Sequence, residues 1–321
     1  MSDQLQARVA SSSEEMPFLV RVFAWTVFPV FFCGSIALAI KEMNRGVDPA
    51  LAYIIPVVAS YLLVMLLERI LPLHRSWSRS QGDIHVDILY LIFSGAVTVQ
   101  LLRPMMLALG VGLGGWLSQF FQGGPWPQDW PLLIQLILSL IVGEFFMYWA
   151  HRLGHVWEPL WRFHAVHHSA PRLYFLNAVR FHPVDLAIST FSPFIVLVAL
   201  GADDRVLALY ALVSAVHGIF QHANLPIRCG PLNWIFSMAE LHRWHHSRSL
   251  EEANTNYGQN LIIWDIVFGT RFLPADREPP EDIGIAGMPD FPMGFIGQLI
   301  SPITWARIQA ENSGATTDET E

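Results

Sequence analysis

Eleven of the 13 histidines in this chain of 321 residues fall between His151 and His246. Eight of them form three compact patterns, His151-Arg-Leu-Gly-His155, His164-Ala-Val-His167-His168 and His242-Arg-Trp-His245-His246, which read HxxxH, HxxHH and HxxHH. On a helix, side chains four apart lie one turn above each other and those three apart nearly so, so each pattern converges imidazole nitrogens on a shared point and can grip a metal ion. Eight imidazoles exceed what one tetrahedral or octahedral ion takes with room for anything else, and two metals with open positions are expected. Neutral imidazole suits Zn, Cu, Fe or Ni, so ligand type alone does not choose the metal. The two cysteines, Cys33 and Cys229, are too few for a thiolate site or a disulfide framework.

Other residues add to the same region. Glu144, Tyr148, His151 and His155 are spaced 4, 3 and 4 and line one stripe if their helix continues past Ala150. An acid at membrane depth is expensive, and Glu144 is expected to accept the distal N–H of a ligating imidazole and fix its tautomer. His182 stands before Pro183, where it either ligates or shapes the entry to a helix. His217 and His222 are five apart and share no helical face, so one of the two is expected to bind directly, His217 stacking with Gln221 and His222 lying at the turn. Gly110-Val-Gly112-Leu-Gly114-Gly115 satisfies GxGxxG but lacks the flanking strand and helix of a dinucleotide site, and is expected to mark close helix packing instead.

The elements that must position these residues are apolar. Hydrophobic residues make up 53% of the chain and charged ones 14%, against about 25% charged in soluble domains. Mean hydropathy is +0.38. A bilayer core needs roughly 20 mostly apolar residues in helical form. Residues 17–40, 50–67 and 131–150 qualify, as does 88–116, which Arg103 and Pro104 interrupt and which suits a single span, a kinked span or a span plus an interfacial piece. Two stretches of 15 residues, 186–200 and 206–220, suit a re-entrant or interfacial hairpin, and two full crossings serve equally. The fold expected is an all-α membrane protein of about four transmembrane helices plus that hairpin, with a helical cap carrying the histidines. It divides into a polar tail (1–16), membrane anchor helices (17–130), a histidine-bearing region (131–273) and a polar C-terminal segment (274–321) whose acidic end, 311–321, has nothing to bury and is expected to be disordered. Arginines after the second and fourth spans place the cap in the cytoplasm. The net charge of −8 and a basic set of Lys41 plus arginines, without a basic block, exclude nucleic acid as partner.

These residues resemble the sterol desaturase and fatty acid hydroxylase superfamily of membrane-bound non-haem di-iron oxygenases. The resemblance rests on Glu144, Tyr148-Trp149-Ala150-His151-Arg152 through His155, the two HxxHH patterns, Asn256-Tyr257-Gly258 and Trp264-Asp265-Ile266-Val267-Phe268-Gly269-Thr270. It implies two irons per chain, held by His151, His155, His164, His167, His168, His242, His245 and His246 with His217 or His222, and His182 as a further candidate. It also implies Asp265 beside the last pattern, orienting an imidazole. The implied reaction is O2-dependent hydroxylation or desaturation of an unactivated C–H bond of a lipid such as a sterol or fatty acyl chain. Each turnover consumes electrons, and the sequence carries no flavin, haem or iron–sulfur motif, so a separate reductase or carrier is implied; Arg152, Arg162, Arg172, Arg180, Arg243 and Arg248 interleave the histidines and are candidates to steer it. Two departures stand out. The family often has Asp where Glu144 stands, and members with an HxxxH pair before the last pattern have His where Gln221 stands. The implied location is a bacterial inner membrane or the endoplasmic reticulum. A zinc or copper transporter, or a metal store, is the rival reading of the same histidines.

Overall fold

Proline and aspartate start the long helices. In the computed structural model, which describes residues 17–120 and 125–315, Pro17 immediately precedes α1 (Phe18–Asn44), Asp48 caps α2 (Pro49–Ile70) by accepting from Ala50 N–H at 2.9 Å, Pro131 precedes α4 (Leu132–Val156), and Pro183 opens α6 (Pro183–Leu200). A proline at a first helical position has no N–H to leave unpaired, and its fixed φ suits the helix. Gly201, in the left-handed conformation at φ 95°, ends α6, and Asp203 accepts from Val206 N–H to start α7 (Asp204–His222). Two short helices, α5 (Glu158–His168) and α8 (Ala239–His245), carry the two HxxHH patterns.

The described residues are helical, with isolated β-bridges but no strand ladder among them. Among the described residues five helices are long and apolar enough to cross a membrane: α1, α2, α3 (Ile84–Leu117), α4 and α6. Of the alternatives for residues 88–116 the single span holds: the stretch around Arg103 and Pro104 is one helix, α3, and its irregularity lies earlier, in a π-helical stretch at Leu91–Thr98. There the buried Ser94 hydroxyl donates to the Phe181 carbonyl at 2.7 Å, tying α3 to the chain ahead of α6. The proposed hairpin also separates into unlike arms. Its first arm, α6, begins at Pro183 and reaches spanning length, whereas α7 is a central helix packed against α1, α2, α4 and α8, with Val206, Leu209, Leu212, Val213 and Val216 buried.

The C-terminal segment is more ordered than its composition suggests. A helix at Trp305–Ala315 includes the start of the acidic end, and Trp305 and Ile308 are buried against Val86, Tyr90, Ala165 and Val166. The polar tail 1–16 and the last residues, 316–321, lie outside the described residues.

The glycine-rich run of α3 serves helix packing. A Cβ on Gly110 would stand 2.7 Å from Val198 Cγ1, and one on Gly114 would stand 3.0 Å from the Ala199 carbonyl oxygen, both on α6; Gly112 faces open space. Small residues let membrane helices approach closely. Gly110→Leu is therefore expected to destabilise the detergent-solubilised protein by about 1–3 kcal/mol through overpacking, while Gly112→Leu leaves its thermal midpoint within error. Equal midpoints for the two variants would refute this packing.

Candidate metal centre

Nine histidines meet at the end of α4, in two adjoining groups. His151, His155, His164, His168 and His245 form the first and His167, His222, His242 and His246 the second, and within each group the possible ligand atoms all lie within 4.8 Å of one another. The three pairs spaced i, i+4 each stay together: His151 with His155 on α4, His164 with His168 on α5, and His242 with His246 at α8. The odd residue of each HxxHH, rotated off that face, crosses to the other group. Thus α5 gives His167 to the second group and α8 gives His245 to the first, and the groups abut through the stacked rings of His168 and His246, 4.5 Å apart.

The partners of the outer ring nitrogens settle what the inner ones carry. A carbonyl oxygen only accepts, so His151 Nδ1 donates to Tyr257 O (2.7 Å), His245 Nδ1 to Thr255 O (2.7 Å) and His167 Nδ1 to Arg180 O (3.2 Å). His164 Nδ1 donates to the Asp185 carboxylate (2.9 Å), His155 Nδ1 to Asn254 Oδ1 (3.2 Å) and His222 Nδ1 to Asn177 Oδ1 (3.0 Å). In a neutral imidazole the other nitrogen is then bare. His151 Nε2 and His164 Nε2 nonetheless face each other at 3.1 Å, His222 Nε2 and His242 Nε2 at 2.9 Å, and His242 Nε2 and His246 Nε2 at 3.1 Å. One proton on His242 Nε2 would serve one of its two contacts, not both. The buried Nε2 atoms of His155, His168 and His245 have no hydrogen-bond partner among the described residues.

Converging lone pairs in a dry interior repel unless a cation sits among them, and this donor set fits a metal. Two metal–nitrogen bonds of about 2.1 Å at a right angle separate their nitrogens by about 3.0 Å. Burial, reinforced by the neighbouring imidazoles, lowers the pKa of His167, His168, His242, His245 and His246 well below the ordinary histidine value. The rings are thus held in the neutral form that metals require.

The remaining candidates take other roles. Glu144, fully buried, bonds no imidazole: its carboxylate accepts from Gln259 N–H (3.1 Å), Asn260 N–H (2.9 Å) and the Asn260 side chain. Asp265 likewise accepts from Tyr257 N–H (2.8 Å), Gly258 N–H (2.7 Å) and the Thr270 hydroxyl (2.7 Å), and burial raises its carboxyl above the ordinary value. Both acids act on the loop 256–261 and only through it on His151, whose Nδ1 is held by the Tyr257 carbonyl. Asn256, at φ 54°, lets the chain turn here while its amide donates to Leu241 O and Phe272 O. His217 stands in neither group. Its ring packs against Phe28, Phe32 and Phe236, so of the pair on α7 it is His222 that reaches the centre; Gln221, beside His217, also donates to Ser237 O. His182 has both nitrogens engaged, Nδ1 accepting from Val184 N–H as the cap of α6 and Nε2 donating to Leu299 O.

Asp185, Asn254 and Asn177 escaped sequence reading. An Asp in the first turn of a helix reads as an ordinary cap neighbour, and nothing in Phe175-Leu-Asn177 marks the amide. Three of the interleaved arginines cannot face a carrier because they are buried. Arg172 pairs with Asp83 (2.7 Å), Arg180 pairs with Asp87 (2.5 Å), and Arg243 donates to the carbonyls of Ala223 and Leu225.

A family model described as fatty acid hydroxylase matches residues 136–270. An ornithine lipid hydroxylase of Rhizobium tropici is 37% identical over 297 residues, covering 92% of this chain and 88% of that protein. The chain belongs to the fatty acid hydroxylase family. As a member it is an oxidoreductase, and its five apolar helices make it a multi-pass membrane protein. Alkylglycerol monooxygenases match less fully: that of Danio rerio is 28% identical over 74% of this chain and 50% of its own length, and that of Homo sapiens 30% identical over 46% and 32%. The chain thus spans half or less of the length of those two fatty acid hydroxylase relatives. No solved structure matches it.

Two outcomes are expected. His222→Ala lowers the bound metal of the purified protein, whereas His217→Phe leaves it unchanged; the reverse order would invalidate the assignment on α7. The pH response follows from the depressed histidine pKa values. Each such ring is neutral when folded and takes up a proton on unfolding once pH is below about 6.5. Stability of the metal-free protein is therefore full above pH 6.5 and falls as pH drops below it, and a thermal midpoint that stays flat from pH 7 to pH 5 would contradict this.

Proposed function

We propose that this chain hydroxylates an unactivated C–H bond of a membrane lipid, using O2 and two irons, one held by each histidine group. The observation that carries the reading is the pair of converging sets of buried imidazole nitrogens, with the bare Nε2 atoms of His151 and His164 facing each other at 3.1 Å. His151, His155, His164, His168 and His245 hold one metal and His167, His222, His242 and His246 the other. Iron, when bound, would supply the O2 activation that hydrogen removal from an alkyl chain requires, since no side chain attacks such a bond.

The protein's own contribution is positional. Tyr257, Thr255, Asn254 and Asp185 fix the ring planes of the first group through Nδ1, and Arg180 and Asn177 do so for the second. Each outer bond also makes its ring a better donor. Likeness over nearly the whole chain to an ornithine lipid hydroxylase favours hydroxylation over desaturation, and a membrane lipid with a polar amino-acid headgroup over a sterol. Electrons come from a separate reductase or carrier. The histidine end of α4 faces the cytoplasm in a bacterial inner membrane, consistent with the arginines that follow it. A transporter would be expected to set its ligands near the bilayer midplane on broken helices, whereas these sit in the last turns of α4 and on α5, α8 and the end of α7, the last three of which are not among the spanning helices.

Protein prepared without metal-chelate resin and reconstituted anaerobically with ferrous salt is expected to hold about two irons per chain, one per histidine group. Cells carrying His245→Ala should lose an oxygenated lipid that the wild type makes. Iron well below one per chain, or an unchanged lipid profile, would defeat the proposal, and uptake of zinc into vesicles bearing the protein would favour the transporter.

A further inference from the structure

The family match begins at residue 136, yet the second histidine group is braced from α2. Glu68, buried in the last turn of α2, places one carboxylate oxygen between two backbone donors: Oε1 accepts from Phe175 N–H and from Asn224 N–H, each at 2.9 Å. Those two segments are the ones that meet at His222. Phe175 opens a short 3-10 turn, Phe175–Val179, that carries Asn177, and Asn177 Oδ1 accepts from His222 Nδ1 at 3.0 Å. Asn224 follows His222 by two residues, where α7 has just ended.

One oxygen therefore ties together both sides of a single hydrogen bond that orients a ring of the second group, and that ring's Nε2 lies 2.9 Å from His242 Nε2. The Asn224 side is held independently as well. Leu73 N–H donates to its carbonyl at 3.0 Å, and its amide exchanges bonds with the His74 backbone at 2.9 Å each. Loss of the Glu68 oxygen is thus felt mainly at Phe175, and so at Asn177. The first group has no such connection, since its rings are fixed by Tyr257, Thr255, Asn254 and Asp185.

We propose that Glu68 is a positioning residue for the metal of the second group alone, holding Asn177 in register with His222. The inference rests on the reading that each group binds one metal. A partner that orients a ligating imidazole typically contributes 10- to 100-fold in metal affinity, and that factor should appear in one of two binding events.

The test is anaerobic titration of the full-length, metal-free protein in detergent with zinc as a redox-silent probe, comparing wild type, Glu68→Gln and Glu68→Asp. Glu68→Gln can keep an oxygen in place, whereas Glu68→Asp keeps the charge but withdraws the oxygen by one methylene. Wild type and Glu68→Gln are expected to bind two equivalents alike. Glu68→Asp is expected to bind the first equivalent normally, which reports an intact fold, and the second at least tenfold more weakly. Wild-type affinities for both equivalents in Glu68→Asp would overturn the proposal. So would equal weakening of both, which marks a general scaffold residue, or loss of the second equivalent in Glu68→Gln. Fewer than two equivalents in the wild type would instead defeat the two-metal reading on which the proposal stands.

Discussion

A ring that keeps its proton on an outward-bonded nitrogen points a bare lone pair inward, and this structure sets two such lone pairs, on His151 and His164, 3.1 Å apart, with His242 Nε2 2.9 Å from His222 Nε2 and 3.1 Å from His246 Nε2. Without a cation the facing lone pairs repel, and six of the nine rings are locked against that by outward bonds. Nearly everything distinctive about the fold supplies those locks. Three are backbone carbonyls, of Tyr257, Thr255 and Arg180, and a carbonyl can serve only if its own segment is held still.

Buried carboxylates do the holding. Glu144 and Asp265 gather the N–H groups of the loop that presents the Tyr257 carbonyl, and Asp87 takes the Arg180 guanidinium while the Arg180 carbonyl takes His167. Tyr174 donates to the same Asp87 at 2.6 Å, and Asp83 pairs with Arg172 a turn away. Burial alone would raise the Asp83 carboxyl, but the Arg172 guanidinium outweighs it and holds the pKa below the ordinary value. An isolated buried carboxylate is costly. One that accepts several N–H groups recovers about 1.5–3 kcal/mol per charge-assisted bond and imposes a fixed geometry on every donor.

The sequence made the imidazole clusters and four of the five spanning helices legible because both signals are local: i, i+4 spacing and unbroken apolar length. It could not show how the groups are composed. The three histidine patterns look like self-contained grips, yet His167 and His245, one from each HxxHH, serve the group opposite to their neighbours, a consequence of how α5 and α8 pack rather than of spacing. The same limit explains Glu144. Its place on a stripe with His151 suggests a direct bond to an imidazole, but the loop 256–261, 115 residues away in the case of Gln259, reaches it first. His217 reads as well as His222 until α1 brings Phe28 and Phe32 against it. Pro104 reads as a break, although a proline within a membrane helix is tolerated where neighbouring groups satisfy the freed backbone.

The division of labour between long and short helices bears on how metal and fold are coupled. The spanning helices bury apolar surface against one another and need no metal. By contrast α5 has 11 residues and α8 has 7, lengths at which isolated helices are marginal in water. Between them these two helices deliver six of the nine histidines, His246 following directly on α8. Packing of Ala165 and Val166 against Val86, Tyr90 and Trp305 secures one flank of α5, but the opposite flank is the cluster of repelling lone pairs. A bound metal would reverse the sign of that interaction, so that much of its binding free energy would act as ordering energy for α5, α8 and the loop after them.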